Sequence, residues 1–221
     1  MILKELYLYP DLVEYSDEIV HPFRDQSRSI CNYLERELKL VKFDANGFKR
    51  ICFIGKSVPS KDCYINSSKV LIVEFKFDEK NYLSLDNSEL NDFFRELLEL
   101  GITKCERQYS IPSHELRESL AKFKEGGFLN EWCYKSKMIK EIGIKCSLEC
   151  RLTITDFHLN LVIEKENSII WQKEILRTAP DEVVYIPMFK DVTLRNGSLV
   201  VLDKFGDSIY ELYVKDLELN L

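Results

Sequence analysis

KCSLECRLTI, residues 145–154, alternates apolar and polar side chains almost without a break. Residues two apart in a strand share a face, so Cys146, Leu148, Cys150, Leu152 and Ile154 point one way and Lys145, Ser147, Glu149, Arg151 and Thr153 the other. The pattern predicts a half-buried strand of an antiparallel sheet. It also decides among three roles for the cysteines: metal ligands, a redox pair, or core. On one strand, at roughly 3.3 Å per residue, they stand about 13 Å apart. That is too far to share a zinc ion, whose bonds to sulfur are about 2.3 Å long. No CxxC spacing occurs in the chain to supply a metal knuckle. Cys146 and Cys150 are therefore read as core, where a free cysteine behaves as a small hydrophobe. Cys31 and Cys52 fall on apolar faces too, whereas Cys63, in a polar loop, is expected to be exposed.

Downstream of that strand, the chain reads as further short strands at about 157–165, 168–177, 183–187, 191–195, 198–204 and 208–215, with another upstream at 130–140. Glu166-Asn167, Asn196-Gly197 and Phe205-Gly206-Asp207 are hairpin-type turns, which require antiparallel neighbours. Upstream of residue 128 the period changes. ILKELYLY is a strand closed by Pro10, and residues 21–41 carry Ile30, Cys31, Leu34, Leu38 and Val41 at helical spacing, with Pro22 near the start. FKRICFIG and KVLIVEFKF read as central strands separated by a polar loop. Asp86 and Glu89 form a capping-box pattern before a helix with Leu90, Phe93, Phe94, Leu97 and Leu98 on its buried face. A third helix bears Leu116, Leu120 and Phe123 and stops at Gly126-Gly127. The expected class is α+β: a mixed α/β half over 1–128, with about three helices and three or four strands, then an antiparallel β-rich half of about seven or eight strands over 129–221.

Composition limits function. The 221 residues are 45% hydrophobic and 31% charged, with a net charge of −6, so a general affinity for nucleic acid or anionic lipid is disfavoured and a basic protein partner is favoured. Seven scattered cysteines and no signal-peptide pattern at MILKELYLYP lead us to expect reduced thiols in a cytoplasmic protein. The longest aliphatic run, residues 70–73, is far short of a membrane span.

Candidate sites are few. Phe53-Ile54-Gly55-Lys56-Ser57 resembles the end of a phosphate loop, but Arg50 stands where the first loop glycine belongs and no helix pattern follows, so no nucleotide hydrolysis is expected. His21, Arg24 and Arg28, with Asp25, crowd the start of the first helix, and one turn of spacing would let the arginines fork around a small anion. Asp156, His158 and Asn160 share one strand face without a nucleophile, and His114 beside Glu115 is weaker still. Glu131, Lys135 and Lys137 are expected on one face with Cys133, opposite Trp132, Tyr134 and Met138. Such interleaving can mark a nucleic-acid surface. Glu89, Asp92, Glu96 and Glu99 form an acidic stripe on the second helix, opposite its buried face. No catalytic set, metal ligand or cofactor motif emerges. The expected function is a non-enzymatic module that binds a basic partner, of the kind an immunity or antitoxin-like inhibitor would be. An enzyme acting on a small anion near His21, and a nucleic-acid accessory protein, are the alternatives.

Overall fold

The computed structural model describes residues 1–218. The chain divides into two compact units, Met1–Asn130 and Glu131–Leu221. Residues 219–221, the end of the β-rich half expected over 129–221, lie outside the described residues. The fold is α+β.

The first unit runs β1 (Glu5–Pro10), α1 (Asp17–Val41), β2 (Arg50–Lys56), β3 (Tyr64–Ile65), β4 (Val70–Lys76), α2 (Glu79–Ser84), α3 (Leu90–Cys105) and α4 (Ser113–Glu125). Its sheet has the order β1-β2-β4-β3; β1, β2 and β4 are parallel and β3 is antiparallel to β4. Parallel strands need covering helices. Here α1 packs on β1, and α3 packs on β4 and α1. Leu6, Leu8, Ile51, Phe53, Leu71 and Val73 of the strands are buried, as are Phe23, Ile30 and Leu34 of α1 and Phe94, Leu98 and Ile102 of α3. Gly101 lets α3 approach closely: a Cβ built there would lie 2.3 Å from the Phe53 ring.

Helix α1 begins at Asp17, four residues before the expected start. Asp17 and Glu18 belong to its first turn, where carboxylates favour the positive end of the helix dipole. Pro22 consequently sits inside the helix. The face of α1 toward β1 is partly polar, and for a structural reason. Strand β1 is an edge, and α1 supplies hydrogen bonds that a further strand would have made. Glu35 Oε1 accepts from the Leu6 N–H at 2.8 Å, Arg28 Nη1 donates to the Leu6 carbonyl at 2.9 Å, and Ser27 Oγ donates to the Leu8 carbonyl at 2.7 Å.

The second unit contains β5 (Glu131–Ile139), β6 (Ile144–Leu152), β7 (Phe157–Lys165), β8 (Ser168–Thr178), α5 (Glu182–Tyr185), a 3-10 turn (Ile186–Met188), β9 (Asp191–Arg195), β10 (Ser198–Leu202), β11 (Ser208–Tyr213) and α6 (Val214–Glu218). Two antiparallel sheets result, β5-β6-β7-β8 and β11-β10-β9. Their shared core holds Cys146, Leu148, Cys150 and Leu152 of β6, Phe157, Leu159, Leu161 and Ile163 of β7, and Val192, Leu199, Val201 and Leu212 of the smaller sheet. Glu166, Asn167, Asn196 and Gly197 all have positive φ, as tight two-residue hairpins demand.

Several expected strand boundaries shift in this unit, and the strand expected over 208–215 ends at Tyr213, immediately before α6. Residues 183–187 are helical turns, because the Asp181 side chain caps Val183 N–H and only Tyr185 turns inward, stacking 3.9 Å from Phe157. The strand through Leu152 stops before Ile154, because Thr153 closes a turn: its N–H donates to the Asp156 carbonyl at 2.8 Å and its Oγ1 accepts from Asp156 N–H at 2.9 Å. The strand from Ser198 ends at Leu202, because the Asp203 carboxylate gathers the N–H groups of Phe205, Gly206 and Asp207.

Candidate functional site

Pairing of β5 to β8 writes a grid on the outer face of their sheet. Arg151 lies across from Glu131 and His158, and His158 from Arg177. One step along, Glu149 is flanked by Cys133 and Asn160, and Asn160 by Glu174. Next come Ser136, Ser147, Val162 and Gln172, then Met138, Lys145, Glu164 and Ile169. Val162 and Ser147 are buried although they point away from the core, so the face is concave. It encloses about 570 Å³, bordered by Glu131, Glu149, Glu164 and Glu174 among others, with Arg151, His158, Asn160 and Gln172 between them. Glu174 Oε2 meets His158 Nδ1 at 2.7 Å, Lys145 holds Glu164 at 2.9 Å, and Arg151 reaches Glu131 only at 3.8 Å. Asp156 is drawn away from His158 into a bidentate pair with Arg177, both bonds 2.9 Å. The Arg177 guanidinium, with the Thr155 hydroxyl, holds the Asp156 carboxyl down at about 2.

The lysine-bearing strand is rearranged by a bulge between Cys133 and Lys135. One extra residue reverses the alternation. Lys135 and Lys137 therefore leave the Cys133 face and reach Asp191 at 3.0 and 3.6 Å, and Lys137 also donates to the Val192 carbonyl. They do not combine with Trp132 and Tyr134 into a stacking surface; Tyr134 packs edge-on against Phe189.

In the first unit, the acidic stripe of α3 is laced with cations. Arg95 lies 3.1 Å from Asp92, 3.6 Å from Glu96 and 2.7 Å from Glu99, and Lys124 of α4 reaches Asp92 at 2.8 Å. The Lys124 ammonium, joined by Arg95, holds the Asp92 carboxyl below the usual carboxylate range. Glu89 reaches back to the Asp86 N–H at 3.0 Å, the returning half of the capping box. Glu89 and Glu96 remain exposed. Arg95 was visible in the sequence, but Lys124 arrives from another helix and spacing gave no sign of it.

The three residues proposed for a small anion do not converge. His21 is exposed and 3.7 Å from Asp17, and Arg24 is 3.6 Å from Asp25. Arg28 is buried, paired with Glu35 at 3.1 Å and stacked 4.8 Å over the Tyr7 ring. An arginine committed to a strand edge cannot fork around a ligand beside Arg24.

At the phosphate-loop look-alike, carboxylates occupy the groups that would cradle an anion. Lys56 lies 3.2 Å from Asp11, 3.6 Å from Glu14 and 3.9 Å from Glu74, and Ser57 donates its N–H and hydroxyl to Glu14. Gly55 is there for clearance, since a Cβ would fall 2.7 Å from Phe77 Cβ.

Cys146 and Cys150 are buried, and burial pushes the Cys146 thiol up to about 11. The exposed cysteine is Cys133, not Cys63. Gln108 Oε1 accepts from the Cys63 N–H at 2.9 Å and Tyr109 O–H donates to its carbonyl at 3.5 Å, folding the polar loop inward. Composition of the loop hid this, because the anchors come from residues past the end of α3.

Among the described residues, no group of three or more His, Cys, Asp or Glu is placed to hold a metal ion, and no helix is long and apolar enough to cross a membrane. No protein-family model, curated protein or solved structure matches the chain.

Proposed function

We propose that the chain is a non-catalytic protein-binding module that engages a basic partner through the outer face of the β5 to β8 sheet. The observation that carries this reading is the concave face itself, where Glu131, Glu149, Glu164 and Glu174 outnumber Arg151 and Lys145 among the amide side chains of four paired strands. Side chains on paired strands need little further ordering to receive a partner, which lowers the cost of association. Asn160 and Gln172 offer donors and acceptors to a partner's backbone, while the glutamates attract lysine or arginine. Complementarity of this type raises the association rate and discriminates among partners. An immunity or antitoxin-like inhibitor that covers a cationic active site is the specific form we favour.

The test compares two charge reversals in capture from the native host followed by kinetics with the purified captured protein. Wild type is expected to retain a basic protein in a fixed ratio and to release it as salt is raised. Glu149→Lys with Glu174→Lys should slow association at least tenfold, whereas Glu89→Lys with Glu96→Lys on α3 should not. The opposite ranking would move the interface to α3, and indifference to both pairs would refute an electrostatic interface.

A further inference from the structure

Three of the four glutamates on the concave face have a basic neighbour, and one does not. Arg151 faces Glu131, Lys145 holds Glu164, and the His158 ring meets Glu174. Glu149 is half-buried, and among the described residues no cationic side chain forms an ion pair with it. Its register neighbours are a thiol, Cys133, on one side and an amide, Asn160, on the other. Beyond Asn160 in the same row stands Glu174. The row is therefore acid, amide, acid on three successive strands. In the next row Val162 is 6% exposed and gives an apolar floor, with Gln172 across from it and the exposed Ile169 further along β8. All of these except Cys133 line the cavity of about 570 Å³, a volume in the range of small-ligand pockets.

We propose that Glu149, Asn160 and Glu174 form a socket for a single arginine side chain of the partner, an inference that rests on the reading of this face as the partner surface.

The spacing favours a guanidinium over an ammonium. Neighbouring strands are about 4.8 Å apart, so the backbones of Glu149 and Glu174 stand roughly 10 Å apart with Asn160 midway. An ammonium between two carboxylates spans two hydrogen bonds of about 2.8 Å, roughly 6 Å from oxygen to oxygen. A guanidinium adds its own width and presents five donors in a planar fork. Glu149 takes one edge of the fork, Glu174, already fixed at Oε2 by His158 at 2.7 Å, takes the other, and Asn160 supplies an amide oxygen between them. The methylene stem of the arginine lies over Val162 and Ile169, as long cationic side chains do on apolar surface. A guanidinium is also more weakly hydrated than an ammonium, so it loses less on entering a half-shielded row. Arg151, two residues along the same face of β6, does not fill the socket, because it is drawn to Glu131 across β5.

The full wild-type chain, labelled with nitrogen-15, is titrated at low salt with N-acetylarginine amide and, separately, with N-acetyllysine amide. Both compounds carry one positive charge, so a diffuse acidic surface treats them alike. The arginine compound should give saturable shifts of the Asn160 and Gln172 side-chain amide signals and bind at least fivefold more tightly than the lysine compound. That preference should vanish in Glu149→Gln and persist in Glu89→Lys with Glu96→Lys on α3. Equal affinities, a lack of saturation, or a preference that survives Glu149→Gln overturns the socket. Capture from the host separates this inference from the broader reading. A captured basic protein slowed by Glu149→Lys with Glu174→Lys, while the arginine compound fails to bind, leaves the partner surface standing and removes the socket. Saturable arginine binding with no captured basic protein supports the guanidinium site and removes the protein partner.

Discussion

The two units use charge in opposite ways. In the first, ionic groups are consumed by the fold: Arg28 and Glu35 complete a strand edge, Lys56 gathers three carboxylates at the ends of parallel strands, and Arg95 with Lys124 laces the α3 stripe. In the second, the core is built from apolar strand faces, and much of the charge lies on the outer face of one sheet. A parallel sheet is covered by helices, so its edge and strand ends are reached by helical side chains. An antiparallel sheet can leave one face to solvent and hence to partners. Charge density in the sequence does not separate these uses; topology does.

The contrast is broken most forcefully at Arg28. Replacing it with alanine takes the guanidinium away from the buried Glu35 carboxylate and removes the donor to the Leu6 carbonyl. A loss of about 3 to 5 kcal/mol is expected, measured by urea unfolding. If Arg28→Ala unfolds like wild type, the edge-completing role assigned to the pair is wrong. Replacing Gly101 comes next. In an exposed helix interior, glycine to alanine gains about 1 kcal/mol. Here the Phe53 ring lies in the way, so the sign reverses to a loss of about 1 to 3 kcal/mol, the usual range for overpacking.

Much of this fold was legible because periodicity reports which face is buried. The β6 alternation, the apolar runs of β2 and β4, and the stripes of α3 and α4 were readable from spacing alone. What spacing does not report is the partner that arrives from elsewhere. Arg28 looked like a surface cation because its sequence neighbours are polar, and only the edge of β1 explains its burial. Lys135 changed faces because one bulge residue inverts a period of two. Cys63 looked exposed because its loop is polar, while its anchors lie some forty residues away, at Gln108 and Tyr109. The outer-face grid was partly anticipated, in His158 and Asn160, but Asp156 turns away to Arg177, and the carboxylates of the grid come from four strands whose register no single segment encodes.

A smaller effect concerns acid. Asp156 has its folded pKa lowered to about 2 from an ordinary 3.8, chiefly by Arg177. A depressed carboxyl stabilises the fold above its unfolded pKa and loses that contribution as pH falls through the folded value. The stability difference between wild type and Arg177→Met should therefore be constant above about pH 4 and shrink toward pH 2. A difference that grows on acidification would contradict the assignment. Glu106 of the first unit, held at about 2 by Arg117, should behave alike, so this pairing is one respect in which the units match.

The smallest expected change in stability, and the sharpest test of the contrast, comes from neutralising one acid pair in each unit. Asp92→Asn with Glu99→Asn removes carboxylates that Arg95 and Lys124 grip, and leaves Arg95, which is largely shielded from water, without its two closest partners. Glu149→Gln with Glu174→Gln touches side chains on the open face of the second sheet, where glutamine keeps a hydrogen-bonding group beside the shielded His158 ring. Surface changes of that kind stay within about 0.5 kcal/mol. The first pair should lower the unfolding midpoint measurably and leave association with a basic partner unaltered. The second should leave the midpoint in place while slowing association and flattening its dependence on salt, because the carboxylates act on an approaching cation over roughly a Debye length of 8 to 10 Å. Midpoints and association rates measured on the same preparations read both quantities at once. Should the α3 pair prove silent in stability and decisive in association, the roles of the two units are reversed, and the acids of the first unit are the ones held ready for a partner.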